Sequence, residues 1–542
     1  MSIAKTVAKG SAWMLIATII VKFSAFIYYI ILARTVSQEE IGMFFLVFSI
    51  MSIVLLFSNL GLGAGAVVRY VPFYGGQGKF NYARKVLKIS ISAGTFFSIV
   101  CIILIILFAN DLASFFHNPD FVPIFYIMAF YLLVCNFYAI ARSFLQGRKL
   151  MRFVSYMTSI QGVFKVALTV ILLFFIGFKA ESIALGFILS FLFTAVVGWL
   201  WVLKEYGSLP ESDEKPNSFL LLREMVPFGL TIGLISEMWV VNSYASRIIL
   251  GYFLPPETSS SMIGIYTIVV AFSIIITTFG AAIGPIFYPL ISELWGKKDI
   301  NETRKITTTV IRWISLTTIP ILLAILMFSK QILTTIYGPD YALGNIALIL
   351  YSIGIFIFLF SRPSQWILAA MKRLDITIIV VTVGALINVL LSFIFIPQPG
   401  TIGGINGAAL ASAISFTIMT ILFLKQSKIT NVQFPKDIYK PVVAGLITVA
   451  VLFFLKPYMG EILRTLIPSL IAPADIISEI IEKVLKMAVL GVLVSTAFLI
   501  YLIFLILLKA FHKEDVEILA GAMRRAKVPK KWISITERIL LR

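Results

Sequence analysis

Cysteine and histidine are almost missing from this chain, with two of each in 542 residues. Cys101 and Cys135 both lie inside apolar runs, so they offer neither a disulfide framework nor metal-ligand spacing. His117 and His512 are far apart in sequence and fall on opposite sides of the membrane topology derived below, so they cannot form a catalytic or metal-binding pair. Charge is scarce too: only 13% of residues are Asp, Glu, Lys or Arg. A nucleotide loop is also lacking. The nearest candidate, Gly75-Gly76-Gln77-Gly78-Lys79, has Phe73 and Phe80 where a phosphate loop needs Gly and Ser or Thr, and reads as a glycine-rich turn. Metal and cofactor chemistry have no visible ligand set. The acidic run Glu211, Asp213, Glu214 lies in a Pro-containing linker and reads as a solvated hinge.

What the chain has is hydrophobicity. Sixty percent of its residues are apolar and its mean hydropathy is +0.99. A soluble domain of this size must face water and cannot use so much apolar sequence. Apolar runs of about 20 residues, the length that crosses a bilayer as a helix, fall near 11–33, 41–68, 86–109, 122–145, 153–176, 183–203, 226–253, 263–291, 306–328, 343–370, 374–396, 404–424, 439–455 and 485–508. The expected fold is therefore an all-α polytopic membrane protein with about fourteen transmembrane helices. The first run continues to about Ala33, too long for a cleaved signal core, and reads as a span. The longest outer loop, about 456–484, is expected to hold a small interfacial helix. No loop is large enough for a soluble catalytic domain.

Basic residues set the orientation. With an even number of spans both termini share one side, and that side holds 33 of the 45 Lys and Arg residues, against seven on the other. The positive-inside rule places both termini in the cytoplasm, with the chain in the cell membrane. The net charge of +19 is then chiefly a topology signal, not a sign of nucleic-acid binding. The tail basics Arg524, Arg525, Lys527, Lys530 and Lys531 are expected to lie on anionic lipid headgroups.

The sequence repeats. Residues 29–44 (YIILARTVSQEEIGMF) and 247–266 (RIILGYFLPPETSSSMIGIY) both run from a span end through a short acidic loop into Ile-Gly. Pro72 and Pro289 each precede a turn ending in Arg-Lys, and Gly147-Arg148-Lys149-Leu150 matches Met371-Lys372-Arg373-Leu374. Two six-helix lobes in parallel repeat around a central cavity follow. The boundaries are an N-lobe at 1–204, a cytoplasmic linker at 205–225, a C-lobe at 226–428, an extra helix pair at 429–508 and a basic cytoplasmic tail at 509–542.

Charges inside the spans carry the functional expectation: Lys22, Lys165, Arg247, Arg312 and Arg362, against one acid, Glu237. Each is costly in a bilayer and so is expected to face a cavity. Lys22 and Lys165 sit roughly 16 Å from either end of their spans, too deep to snorkel. Each heads a polar stripe: Ser11, Thr18 and Tyr29 with Lys22; Thr158, Gln161 and Thr169 with Lys165. Arg312, beside Trp313, reads either as an interfacial anchor or as a further cavity cation. So few acids leave an anionic substrate as the counter-charge, and phosphate suits Lys and Arg. Arg362-Pro363 breaks the tenth span, and Gly280, Gly284, Pro285 and Pro289 interrupt the eighth. Tyr29, Trp239 and Trp366 could stack on sugar rings. Glu237 could bind a coupling proton or cation, or pair with Arg247.

The opening Lys-Gly-Ser-Ala-Trp, the segment FSNLGLGAGAVVRYVPFY (57–74), RIILGYF with IGIY (247–266), and PIFYPLISELWGKKD (285–299) resemble the polysaccharide-transporter branch of the multidrug/oligosaccharidyl-lipid/polysaccharide exporter superfamily. The resemblance implies a flippase that carries a polyprenyl- or dolichyl-linked oligosaccharide through a cationic cavity, with no enzymatic activity. It makes Lys22, Arg69, Arg247 and Arg362 candidate cavity or mouth residues. Asn242 and Ser243 stand near the position where many relatives carry an acid, which sets ion coupling here apart from theirs. The expected partners are the anionic lipid-linked oligosaccharide, membrane lipids and glycan-assembly enzymes, and the protein is expected to be a monomer. The alternatives are a lipid-linked peptidoglycan precursor flippase, a multidrug/cation antiporter, and a membrane glycosyltransferase or polymerase.

The topology has a direct check. In a variant lacking Cys101 and Cys135, K298C should resist an impermeant maleimide applied to intact cells, whereas K456C should react. Labelling of K298C from outside would reverse the orientation.

Overall fold

The computed structural model describes residues 3–210, 214, 216–426, 434, 435, 437–466, 476–513, 515, 516, 520, 524 and 529–540. Glu211 and Asp213 of the linker, and Arg525 and Lys527 of the tail, lie outside that set. No strand occurs among the described residues.

The first lobe comprises α1 (Ile3–Thr35), α2 (Gln38–Asn59), α3 (Val67–Gly76), α4 (Phe80–Leu107), the short α5 (Ala109–Phe115), α6 (Phe121–Gly147), α7 (Met151–Ile176) and α8 (Ala180–Gly207). The second comprises α9 (Ser218–Phe253), α10 (Pro256–Ser273), α11 (Thr278–Gly296), α12 (Ile300–Ile336), α13 (Asn345–Leu359), α14 (Arg362–Ala370), α15 (Leu374–Phe395) and α16 (Gly404–Lys425). Then come α17 (Tyr439–Leu466), α18 (Ile476–Leu507) and the short α19 (Lys530–Leu540). Thirteen described segments are long and apolar enough to cross a membrane, and the Tyr439–Phe454 stretch of α17 adds a shorter apolar one. The expected outer loop at 456–484 is largely helix: α17 continues to Leu466 and α18 begins at Ile476, with 467–475 outside the described residues.

Local chemistry explains the helix starts. The Ser37 hydroxyl accepts the Glu40 amide N–H at 3.3 Å and caps α2, whose first turn carries Glu39 and Glu40 at the positive end of the dipole. Glu40 also accepts the Ala180 N–H at 2.7 Å, tying the start of α8 to α2. Asp299 and Asn217 cap α12 and α9 in the same way.

The repeat is visible in backbone geometry. Four basic turns carry a left-handed residue: Gly78, Lys149, Lys298 and Lys372, with φ of 77°, 62°, 57° and 59°. In each, the next N–H closes back on the carbonyl five residues earlier: Lys79 to Tyr74, Leu150 to Leu145, Asp299 to Leu294 and Arg373 to Leu368, at 2.9–3.1 Å. These turns follow the second and fourth spans of each lobe. Helix pairing repeats as well. α1 packs on α7, α7 on α8 and α6 on α8; in the second lobe α9 packs on α15, α15 on α16 and α13 on α16.

The lobes meet chiefly through α2 against α9 and α10. At one end the approach is backbone on backbone. A Cβ at Gly42 would fall 1.7 Å from the Ser260 carbonyl oxygen, and one at Gly264 would fall 2.1 Å from that of Gln38. Arg34 reinforces this end across the lobes, donating to the carbonyls of Ile336 (2.9 Å) and Thr335. At the opposite end Gly61, in the left-handed region, lies against Gly229 of α9.

G42A should therefore cost about 1–3 kcal/mol through overpacking, read as a lower melting temperature in detergent. G75A, which adds a methyl group in open space, should not. Equal melting of the two variants would contradict the close lobe contact.

Candidate functional site

Two of the spans that form the lobe interface are broken, whereas α9 is continuous. α2 gives way to a π-helical turn at Leu62–Ala66 before α3, and α10 gives way to a 3₁₀ turn at Ile274–Thr277 before α11. A third break, between α13 and α14, falls at the Arg362-Pro363 step expected from the sequence. Irregular backbone at membrane depth requires shelter from lipid and is typical of transporter substrate sites.

The cations gather around these breaks. The Lys22 ammonium on α1 donates to the Thr278 hydroxyl at the start of α11, 3.2 Å away and across the lobe interface. It lies within electrostatic reach of Arg362. Arg362 opens α14, so its guanidinium adds to the positive end of that helix dipole. It donates to Gln365 Oε1 at 3.3 Å and packs 5.2 Å from the Phe358 ring. Trp239 meets the same Phe358 ring edge-on at 5.5 Å. Lys22, Arg362 and Trp239 thus share one region.

Arg247 forms a second centre. It is only 4% exposed, and its Nε and Nη1 have no hydrogen-bond partner. Its guanidinium lies 5.1 Å from the Tyr244 ring and 6.0 Å from the Phe45 ring. Tyr29 of α1, Tyr266 of α10 and Tyr351 of α13 are within electrostatic reach. Tyr29 itself stacks on Phe45 at 5.7 Å. Groups from both lobes therefore surround one unpaired cation.

Other candidates fall elsewhere. Lys165 packs its ammonium 4.4 Å from the Tyr28 ring, between α7 and α1. The polar stripe around it is a packing seam: Gln161 donates to Ser190 of α8 at 3.5 Å, and Thr169 fills the space over Gly186. Arg69 is exposed and covers the Phe228 ring at 4.1 Å, at the end of the interface where α3 meets α9. Beside it Tyr74 donates to Glu224 Oε2 at 2.9 Å; burial first, then that carboxylate, raises its phenol, which stays a donor. Trp366 lies against Gly284 and meets Phe287 at 5.2 Å, joining α14 to α11. Glu237 is buried at 7% exposure and its Oε1 has no partner. The pairing of Glu237 with Arg247 does not form, because ten helical residues separate them by roughly 15 Å.

Arg312 leaves the cavity set. It forms an ion pair with Asp515 at 2.7 Å, and Trp313 Nε1 donates to the same oxygen at 2.6 Å. Sequence reasoning also missed a neutral polar knot: the Asn388 amide donates to the Asn242 carbonyl at 2.6 Å, Ser415 donates to Asn242 Oδ1 at 2.9 Å, and Ser246 and Ser392 complete it. Asn388 lies inside an apolar run, where a lone amide was the available signal. Among the described residues no cluster of His, Cys, Asp and Glu could hold a metal ion.

Broken interfacial helices, two repeated lobes and a buried cation without a counter-charge are the features of a polytopic transporter. The model described as polysaccharide biosynthesis protein matches residues 7–295, and MatE matches 226–394. The chain belongs to the polysaccharide biosynthesis protein family, within the exporter superfamily whose features its sequence carries. It is 23% identical over 522 residues to the uncharacterized membrane protein MJ1068 of Methanocaldococcus jannaschii, covering 89% of this chain and 100% of that one. It is 25% identical over 462 residues to the probable low-salt glycan biosynthesis flippase Agl15 of Haloferax volcanii, covering 84% and 90%. In fold it is similar to lipid II flippase MurJ in an inward closed conformation, with a TM-score of 0.64, 17% identity, and 89% and 97% coverage.

An unpaired buried guanidinium costs stability. R247M should keep or raise the melting temperature of the ligand-free protein. A drop of several degrees would show that Arg247 holds the fold instead.

Proposed function

We propose that this protein is a flippase that moves an anionic lipid-linked oligosaccharide across the cell membrane by alternating access. The family and its relatives support a flippase; the substrate class is inferred from the site. One observation carries it: at the lobe interface the cations Lys22, Arg247 and Arg362 have no acidic partner among the described residues. Glu237, the buried acid, is apart from them. A diphosphate brings the missing negative charge and suits both ammonium and guanidinium groups.

A second feature supports a lipid carrier. An apolar groove of about 500 Å³ lies between α1, α10, α12 and α18, lined among others by Phe26, Ile30, Ile275, Ile321, Leu490 and Val494. Phe26 and Ile30 follow Lys22 at four-residue steps and so share its face of α1. Ile275 precedes Thr278 by three. The groove therefore continues from the Lys22–Thr278 contact, placing room for a prenyl chain beside cations suited to its diphosphate. In this reading Tyr29 and Trp239 face the sugars, Arg69 guards the mouth near α3, Lys165 supports the N-lobe wall, and both termini are cytoplasmic. Trp366 joins α14 to α11. Glu237 binds the coupling proton or cation.

Two measurements test the proposal. A polyprenyl diphosphate should raise the melting temperature of the wild-type protein, and K22A and R362Q should each weaken that response at least tenfold while leaving the ligand-free melting temperature intact. An equal response in all three would remove these residues from the site. E237Q should abolish the pH dependence of transport; unchanged transport and pH profile would end its coupling role.

A further inference from the structure

The last helix of the chain, α19, has two unlike sides. Its sequence is KKWISITERIL. At about 100° per residue, the positions of Trp532, Ile533, Ile535, Ile539 and Leu540 fall within an arc of about 160°, with Thr536 among them, and the charged residues take the remainder. The protein covers only part of that arc. Ile533, at one edge, is buried at 5% exposure, whereas Trp532, about 100° round the helix, is 61% exposed. Lys531 and Arg538, about 100° and 120° from Trp532 on its other side, are exposed as well. An open indole flanked by cations suits a membrane interface, where the ring enters the apolar layer and the charges stay in water.

The tail that carries α19 leaves the bundle at the bilayer surface. Ala510 joins Leu316 and Ile319 of α12 and Leu505 of α18 in one apolar cluster. Five residues on, Asp515 accepts from Arg312 Nη2 at 2.7 Å and from Trp313 Nε1 at 2.6 Å. α12 has 37 residues, roughly 55 Å of helix, whereas the hydrocarbon core is about 30 Å thick. Its first turns therefore stand in the headgroup layer, and the tail is fastened beside them. Arg524 then reaches back to Glu537 at 3.1 Å, which folds the connecting segment onto α19 and neutralises the acid on its polar side. The surface next to this helix is the bilayer in which the protein already sits.

We propose that α19 is a membrane-surface helix: its Trp532 side beds into the leaflet on the side of the termini, and Lys531 and Arg538 meet anionic headgroups there. Charge complementarity selects that occupant, because with Glu537 held by Arg524 the polar side is left positive, and an anionic leaflet attracts it. The inference gives a structural form to the headgroup contact expected of the tail and does not depend on what the protein carries. It makes the end of the chain a second, peripheral hold on the bilayer, beyond the spans.

The test uses the full-length protein lacking Cys101 and Cys135, in nanodiscs, with a bimane probe on W532C or S534C and lipids brominated just below the headgroup as quenchers. In discs containing phosphatidylglycerol the 532 probe should be quenched roughly three times as strongly as the 534 probe, which stands on the polar side. The same excess over 534 is expected at T536C, about 40° from Trp532, where the indole is kept. K531Q/R538Q, or discs of phosphatidylcholine alone, should lower quenching at 532 by roughly half or more. Equal quenching at 532 and 534 would overturn the proposal, as would quenching at 532 that is unchanged by both the charge variant and the neutral discs. A 532 probe shielded from lipid bromines and from aqueous iodide alike would place a protein on this face, and that too would overturn it.

Discussion

A cation sealed away from water needs a counter-charge, and the rest of this structure is arranged around that requirement. Two arginines show it. Arg312 and Arg247 are almost equally buried, at 7% and 4% exposure. Arg312 meets Asp515 at 2.7 Å and fastens the tail to the second lobe. Arg247 meets aromatic rings from both lobes, and its Nε and Nη1 go unbonded. The first is an architectural element. The second is the cation that the proposed function assigns to the substrate's charge, and removing water makes the attraction a guanidinium offers an anion much stronger.

Where that site sits follows from the repeat. Two six-helix lobes built from the same turns and pairings meet through α2 against α9 and α10, and the second span of each lobe is interrupted. The interruptions let α3 and α11 depart from α2 and α10, and the start of α11 brings Thr278 to Lys22. Close glycine contacts mark each end of the interface, Gly42 with Ser260 at one and Gly61 with Gly229 at the other. Such contacts hold only while the lobes lie together, which suits a cycle in which the two ends separate in turn.

Much of this was legible in the sequence. Apolar run length gave the spans, because a bilayer demands about 20 residues whatever the fold. The basic turns predicted the repeat, because a left-handed residue closing a helix leaves the same short motif twice. Partners were harder. Lys22 and Thr278 are 256 residues apart, and Arg312 and Asp515 are 203 apart; nothing local ties either pair. Asp515 also lies among tail lysines, where an acid looks like ordinary surface. The polar stripe of Lys165 misled because threonines and glutamine serve helix packing as readily as a cavity, and only Ser190 and Gly186 on α8 reveal which. Glu237 and Arg247 looked paired because they share a helix, yet axial separation outweighs shared direction. At 456–484, Ser, Pro and acidic residues suggested a small interfacial helix within an outer loop; the described part of that stretch belongs instead to the ends of α17 and α18.

The central claim is that uncompensated positive charge between the lobes exists to carry a negative one. Translocation in proteoliposomes tests it most directly, comparing one oligosaccharide on a polyprenyl diphosphate with the same oligosaccharide on a neutral polyprenyl alcohol. The account predicts protein-dependent transfer of the diphosphate form and little of the neutral one. Equal rates for both would contradict it.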